Sequence, residues 1–254
     1  MVLSMERWSG KVAIVTGASA GIGAAIAKQL VENGLIVIGA ARRANLVDEI
    51  AKTLEGKNGK LHSYKLDLSN EQEIKDLFKW TTENFGPVHI LINNAGIHVR
   101  NDFIDEDIPA WRKTLEVNVL GLSIATTLAI KIMKENGING HIININSITG
   151  HSVPQIPFHN MYPASKHAVT ALTETFRQDI NKLNLKIKIT SISPGAVDTP
   201  IFDENIRGTP GFKKLIGDKL LKPEDIADGV VYALSTPLHV QVHELTIKPI
   251  NEKL

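Results

Sequence analysis

Lys11-Val12-Ala13-Ile14-Val15-Thr16-Gly17-Ala18-Ser19-Ala20-Gly21-Ile22-Gly23 is the stretch from which the fold is read. Its first six residues are an apolar, β-branched run of the kind that forms a buried strand. Three glycines follow within seven positions, and Ala24 to Asn33 then has helical character until Gly34 stops it. A strand, a glycine-rich turn and a helix in immediate succession open a dinucleotide-binding unit. The glycines permit a tight turn and close approach of backbone to a pyrophosphate, while the helix start offers unpaired N–H groups to the phosphates. A turn without a ligand is the bland alternative, and the correct element on either side weighs against it.

Leu35 to Ala40 reads as the second strand. An acidic residue just after it would bond the ribose 2′-hydroxyl of NAD, but Ala41-Arg42-Arg43 stand there instead. Loss of the carboxylate removes repulsion of a 2′-phosphate, and a guanidinium pairs with that phosphate bidentately. NADP(H) is therefore expected over NAD(H), against the plainer view of two solvated arginines at a helix start. Helix over Ala44 to Leu54, strand over Leu61 to Leu66 and helix over Asn70 to Phe85 follow, the last ended by Gly86-Pro87. Val88 to Ile92 is the fourth strand, Asp105 to Asn136 one or two helices, and His141 to Asn146 the fifth strand. Ile187 to Ile192 is the sixth. Lys222-Pro223-Glu224-Asp225 opens a last helix, and Gln241 to Ile247 is the seventh strand. This alternation implies a single-domain α/β fold over 1–254, a Rossmann-type doubly wound parallel sheet of about seven strands flanked by helices. Pro200 to Leu221, with Gly208, Pro210, Gly211, Phe202 and Phe212, is expected to be a mobile lid.

The chemistry is sought in Met161-Tyr162-Pro163-Ala164-Ser165-Lys166. Tyr162 and Lys166 are four apart and share one face of a helix. An ammonium group beside a phenol favours the phenolate and draws its pKa towards the working range, which suits proton transfer to or from an alcohol oxygen. Taken alone the pair is weaker evidence than an ordinary amphipathic face. Pro163 belongs in a first helical turn and disfavours helical geometry at Tyr162, which puts the tyrosine at the helix start.

Composition narrows the classes. With 254 residues, 43% of them hydrophobic, the chain can bury a full core. A net charge of +1 points neither to nucleic acid nor to an anionic membrane surface. The absence of cysteine removes disulfides, thiol nucleophiles and cysteine metal sites. Met1 to Gly10 shows no signal-type apolar run, and no later run is expected to span a membrane. Glu252-Lys253-Leu254 lacks the serine of a peroxisomal tripeptide, so a cytoplasmic protein is the default. His239 and His243 have no third ligand in view, and no metal is expected.

Thr16-Gly17-x-x-x-Gly21-Ile22-Gly23 resembles the signature of the short-chain dehydrogenases/reductases, and further elements match that family in order. The resemblance assigns Gly17, Ser19, Gly21, Ile22 and Gly23 to the cofactor. It places Asp67 and Leu68 at the adenine, although Asp67 also suits helix capping, for which Ser69 and Asn70 are as good. Asn93-Asn94-Ala95-Gly96 matches a family element lying against the cofactor, so Asn94, Ala95 and Gly96 join that set. Asn118 is an amide in an otherwise apolar stretch, costly unless its hydrogen bonds are made. In the family it holds a water linked to the catalytic lysine. Ser147, fifteen positions before Tyr162, completes the family's Ser-Tyr-Lys arrangement. Ser147 then polarises or positions the substrate oxygen, Tyr162 is general acid or base, and Lys166 lowers its pKa and bonds the nicotinamide ribose. Pro194, Gly195, Val197 and Thr199 resemble the segment that holds the nicotinamide carboxamide. Ala20 departs from NADP-type relatives that carry a second basic residue there.

The loop Ile148 to Met161, the segment Ala168 to Glu174 and the tail Leu234 to Pro237 with Val240 to Ile247 are similar to an animal dehydrogenase/reductase subgroup. It includes insect farnesol dehydrogenases and relatives acting on steroids. This implies an apolar alcohol or carbonyl substrate, with Val153, Ile156, Phe158 and Phe202 as an apolar wall beside Ser147 and Tyr162. His98, His151 and His159 are possible polar contacts, each expected to be solvated. Family members commonly form homodimers or homotetramers through the helices holding Asn118 and Tyr162. A broad-specificity carbonyl or quinone reductase remains an alternative, as does a cofactor-binding regulatory protein with little turnover.

Overall fold

The computed structural model describes residues 3–155, 158–201 and 220–252. One seven-stranded sheet runs through it, every strand pair parallel. In chain order the strands are β1 (Val12–Thr16), β2 (Ile36–Ala41), β3 (Lys60–Lys65), β4 (Val88–Asn93), β5 (His141–Ile145), β6 (Lys188–Pro194) and β7 (Glu244–Ile247). The helices between them are α1 (Gly21–Glu32), α2 (Ala44–Thr53), α3 (Glu71–Phe85), α4 (Ile108–Leu115), α5 (Leu122–Glu135), α6 (Met161–Lys182) and α7 (Pro223–Ser235). The spatial order β3-β2-β1-β4-β5-β6-β7 reverses direction between β1 and β4. In a parallel sheet this reversal opens a crevice at the strands' C-terminal ends.

Alternation along each strand supplies two cores. Ala13 and Val15 of β1 face a layer built from Ile26, Leu30 and Val31 of α1, Val47 of α2 and Ile226, Val230 and Leu234 of α7. Val12 and Ile14 face the other way, onto Ile74, Leu77 and Phe78 of α3, Ala125, Ala129 and Met133 of α5 and Ile180 of α6. The sheet is thus covered on both faces, and all its C-terminal strand ends meet along one edge.

The run expected between Asp105 and Asn136 is α4 and α5 joined by a π-helical turn, Glu116–Gly121. By length and composition alone Ile108–Glu135 is apolar enough to cross a membrane, a test that buried core helices also pass. Here Val117, Leu122, Ala125, Ala129 and Met133 are instead buried within the chain. The seventh strand is shorter than expected, because residues 241–243 precede the ladder, which pairs Glu244 to Ile247 with Ser191 to Pro194. Most of the expected lid, including Phe202, and Ile156 of the expected apolar wall lie outside the described residues.

Candidate active site

The ends of β1 and β4 are locked by a short set of hydrogen bonds. Thr16 Oγ1 accepts from Asn94 N and Ala95 N, each at 3.1 Å, and donates to Ile92 O at 3.3 Å. Asn94 Nδ2 returns a bond to Thr16 O at 2.9 Å. Gly17 continues in the left-handed region (φ 71°), and a Cβ there would stand 2.9 Å from Ala95 Cα. At Gly23 a Cβ would meet both Gly17 O and Asn94 Nδ2 at 2.4 Å. Both glycines are therefore required by close packing. Gly23 is not on the cleft surface; it lets α1 approach the strand ends. Ala20, the N-cap of α1, makes no side-chain cap bond, and no acidic residue occupies the first turn. The helix start is left to an anion.

A cleft of about 470 Å³ runs over these strand ends. Gly17, Ser19, Gly21 and Ile22 line it beside Arg42 and Arg43, followed by Asp67 and Leu68 and then Asn94, Ala95 and Gly96. Pro194, Gly195, Val197 and Thr199 also line it, as do Ser147, Tyr162 and Lys166. The structure thus gathers the sequence-derived cofactor residues, Gly23 excepted, in one cleft. The glycine cradle, the uncapped helix start and two arginines fit an extended anionic dinucleotide.

Asp67 accepts from Ser69 N at 3.0 Å and Ser69 Oγ at 2.7 Å, and Lys113 Nζ lies 3.3 Å from its second oxygen. Burial pushes its carboxyl up, but these bonds outweigh it and hold it below the usual carboxylate range. Asn70, not Asp67, caps α3, accepting from Gln72 N and Glu73 N. The capping alternative for Asp67 is thereby a local turn with Ser69, and the residue still borders the cleft.

α6 begins at Met161, whose N–H is bonded by the Asn160 side chain. Pro163 falls in the first turn and Tyr162 at the helix start, as its proline neighbour requires. Burial pushes the Tyr162 phenol up to about 12, and the nearby Ser147 side chain opposes that shift. Ser147 Oγ also accepts from Thr149 N at 3.1 Å and Thr149 Oγ1 at 2.9 Å. Lys166 Nζ donates to Ile145 O at 2.9 Å and stands 5.7 Å from the tyrosine ring centroid. Burial lowers Lys166 to about 8. The expectation that Lys166 depresses Tyr162 is thus corrected: desolvation dominates both groups, and the amine is turned towards a strand-end carbonyl.

Asn118 sits in the π-helical turn and is buried behind the cleft. Its Oδ1 accepts from Ile97 N at 2.9 Å, and Nδ2 donates to Ile97 O at 2.9 Å and Ser165 Oγ at 3.0 Å. Ser165 Oγ in turn donates to Tyr162 O at 2.7 Å. The amide is a fully used clamp between the loop after β4 and the start of α6. Ser165 was the part not foreseen, since nothing in its sequence position separates it from an ordinary helix serine.

The substrate side departs further from expectation. Val153 and Phe158 are 71% and 44% exposed and do not line the cleft. Their loop is anchored on either side of them. His151 Nε2 bonds Ser193 Oγ at 3.0 Å beside Glu244, and Asn160 Nδ2 bonds Val99 O at 2.9 Å. His98 and His159, expected to be solvated, line the cleft instead. Their ring centroids are 4.7 Å apart, and that of His98 is 4.8 Å from Tyr162. Burial lowers the His98 pKa, partly countered by its bond to Phe158 O, with Arg100 adding to the lowering. The His98 imidazole lies tilted against the tyrosine ring. Ile97, Ile148 and Thr149 also line the cleft, and no periodic pattern in the sequence marks them.

Comparison with known proteins bears on this arrangement. Residues 11–209 match the short chain dehydrogenase family. The chain is 48% identical to farnesol dehydrogenase of Aedes aegypti, over 98% of this chain and 100% of that protein. It is 44% identical to dehydrogenase/reductase SDR family member 11 of Mus musculus, over 96% of each. Among solved structures, the alcohol dehydrogenase of the archaeon Thermococcus sibiricus, complexed with 5-hydroxy-NADP, superposes with a TM-score of 0.82 at 28% identity. That match covers 94% of this chain and 97% of the other. With the doubly covered parallel sheet and the cleft at its switch point, these likenesses make the chain a member of the short-chain dehydrogenase family, an oxidoreductase of alcohols and carbonyls that uses a nicotinamide dinucleotide.

Proposed function

We propose that this protein is an NADP(H)-dependent oxidoreductase interconverting an apolar alcohol and its carbonyl, with Ser147, Tyr162, Lys166 and Asn118 as its active site. The observation that carries this reading is the gathering of Ser147, Tyr162 and Lys166 in one cleft with the glycine cradle. When bound, the nicotinamide cofactor supplies or accepts the hydride.

Tyr162, kept protonated by burial, is suited to donate its proton to a carbonyl oxygen in reduction. In the reverse direction its phenolate takes the alcohol proton. Ser147, held by Thr149, positions the same oxygen. Lys166 carries its charge below about 8 and supplies it to the ribose end of the cleft. Asn118, through Ser165 and Ile97, fixes the helix start on which Tyr162 stands. Arg42 and Arg43 receive the 2′-phosphate, and Asp67 with Leu68 the adenine. The 48% identity to a farnesol dehydrogenase supports a farnesol-type isoprenoid, with a steroid as the related choice. Ile97 and Ile148, with His98 and His159 packed edge to face, supply the wall for it. On this reading the whole chain is one dinucleotide-binding and catalytic domain of a cytoplasmic protein. It pairs with further copies through the helices bearing Asn118 and Tyr162, where Leu115 and Leu120 are exposed.

The test is direct. Purified protein is titrated with NADPH and NADH by fluorescence, and farnesal and a steroid ketone are added to the complex that forms. Tight NADPH binding with turnover of one carbonyl supports the reading; binding without turnover on a broad carbonyl panel overturns its catalytic part.

A further inference from the structure

Past β7 the chain delivers a buried carboxylate to the wall of the cleft. Ile247 O accepts from Gly195 N at 2.7 Å, and the chain then turns so that Glu252 N donates to Pro249 O at 3.2 Å. The Glu252 side chain folds back and is 0% exposed. Its Oε1 accepts from Ala196 N at 2.8 Å. Its Oε2 is buried without a hydrogen-bond donor and faces Lys248 Nζ at 3.6 Å. A Cβ on Gly195 would stand 2.4 Å from that oxygen, so the carboxylate lies flat against the Gly195 backbone. Gly195 and Ala196 themselves line the cleft. A single peptide layer separates the charge from the ligand space.

A neutral amide would satisfy the Ala196 N–H as well, without the cost of desolvating a charge. Burial pushes the Glu252 carboxyl up, and the Ala196 N–H and Lys248 oppose that shift. What the carboxylate adds over an amide is a negative charge in a low-dielectric wall, where Coulomb interactions are stronger than in water. The two forms of a nicotinamide differ in charge at the ring, positive when oxidised and neutral when reduced.

We propose that Glu252 is a positioning residue that holds the Gly195–Ala196 wall and, by its charge, favours the oxidised cofactor over the reduced one. This rests on the reading above, in which the nicotinamide end lies against Pro194 to Thr199. Lys248 partly masks the charge, so the two residues act with opposite sign.

Dissociation constants for NADP⁺ and NADPH are measured for the wild type, Glu252→Gln and Lys248→Met, with thermal melts to verify that each variant folds. Glu252→Gln keeps an acceptor for Ala196 N and loses the charge. It is expected to weaken NADP⁺ binding by about three- to tenfold and to change NADPH binding by less than about twofold. Lys248→Met is expected to move the ratio of the two constants in the opposite direction. Equal weakening of both forms in Glu252→Gln, or a ratio unchanged in both variants, overturns the proposal. Failure of the wild type to bind either nucleotide overturns the nucleotide-site reading on which it stands, and is told apart from the other outcomes by that control.

Discussion

The two ends of the cleft are built in different ways. At the glycine turn the wall rests on close packing: a Cβ added at Gly17, or at Gly23 beneath it, collides with its neighbours. At the substrate end the wall is side chain, with His98, His159 and Ile148 inside and Val153 and Phe158 turned out to solvent. A close-packed wall admits one ligand geometry and tolerates no change. A side-chain wall can be altered residue by residue while the fold stands, which is how one scaffold serves many substrates.

The largest effect should come from the residue between the two ends. Tyr162→Phe removes the proton donor and should lower turnover by about a thousandfold while leaving nucleotide affinity intact. Wild-type turnover in this variant would falsify the catalytic assignment. A milder version of the same test uses pH. Because Tyr162 is raised, to about 12, its phenolate is the minor form at neutrality. Alcohol oxidation should therefore rise by about tenfold per pH unit at first, with reduction nearly flat. A break is expected at about 8, where Lys166 gives up its proton. An oxidation rate independent of pH would place the proton transfer elsewhere.

Next in size is the packing beneath the glycine turn. Gly23→Ala puts a methyl group 2.4 Å from Gly17 O and should cost about 1–3 kcal/mol of stability, read as a lowered denaturation midpoint. No loss there would mean that the turn is looser than the packing implies. Arg42→Ala should weaken NADPH by about tenfold and leave NADH nearly unchanged, the loss of one charge-assisted bond. An unaltered preference would take the 2′-phosphate away from this residue.

The smallest effect belongs to the outer rim. Val153→Ala should change stability by less than about 0.5 kcal/mol and leave the KM for an apolar substrate within about twofold, since the side chain is largely in water. A large rise in KM would mean that this loop closes over the substrate, and would erase the contrast between the two ends.

Short-range pattern accounts for most of what the sequence disclosed. The strand–glycine–helix unit, the alternation that covers both faces of the sheet and the place of Tyr162 at a helix start were all legible. Each depends on neighbours within a turn or a strand. Composition does not tell a core-facing helix from a lipid-facing one; the burial of Ala125, Ala129 and Met133 marks α5 as core-facing.

What the tertiary structure alone decided are the meetings of distant segments. The Asn118–Ser165–Tyr162 clamp joins residues 47 apart in sequence at its first bond. The enclosure of His98 and His159 depends on the loop after β4 meeting the start of α6. Glu252 reaches a backbone group 56 residues before it. Desolvation of Tyr162 and Lys166, which reverses the expected direction of the tyrosine shift, arises from the same assembly. Local periodicity records which face of an element is buried, whereas burial of a polar or charged group at a site is set by what packs over it from elsewhere in the chain.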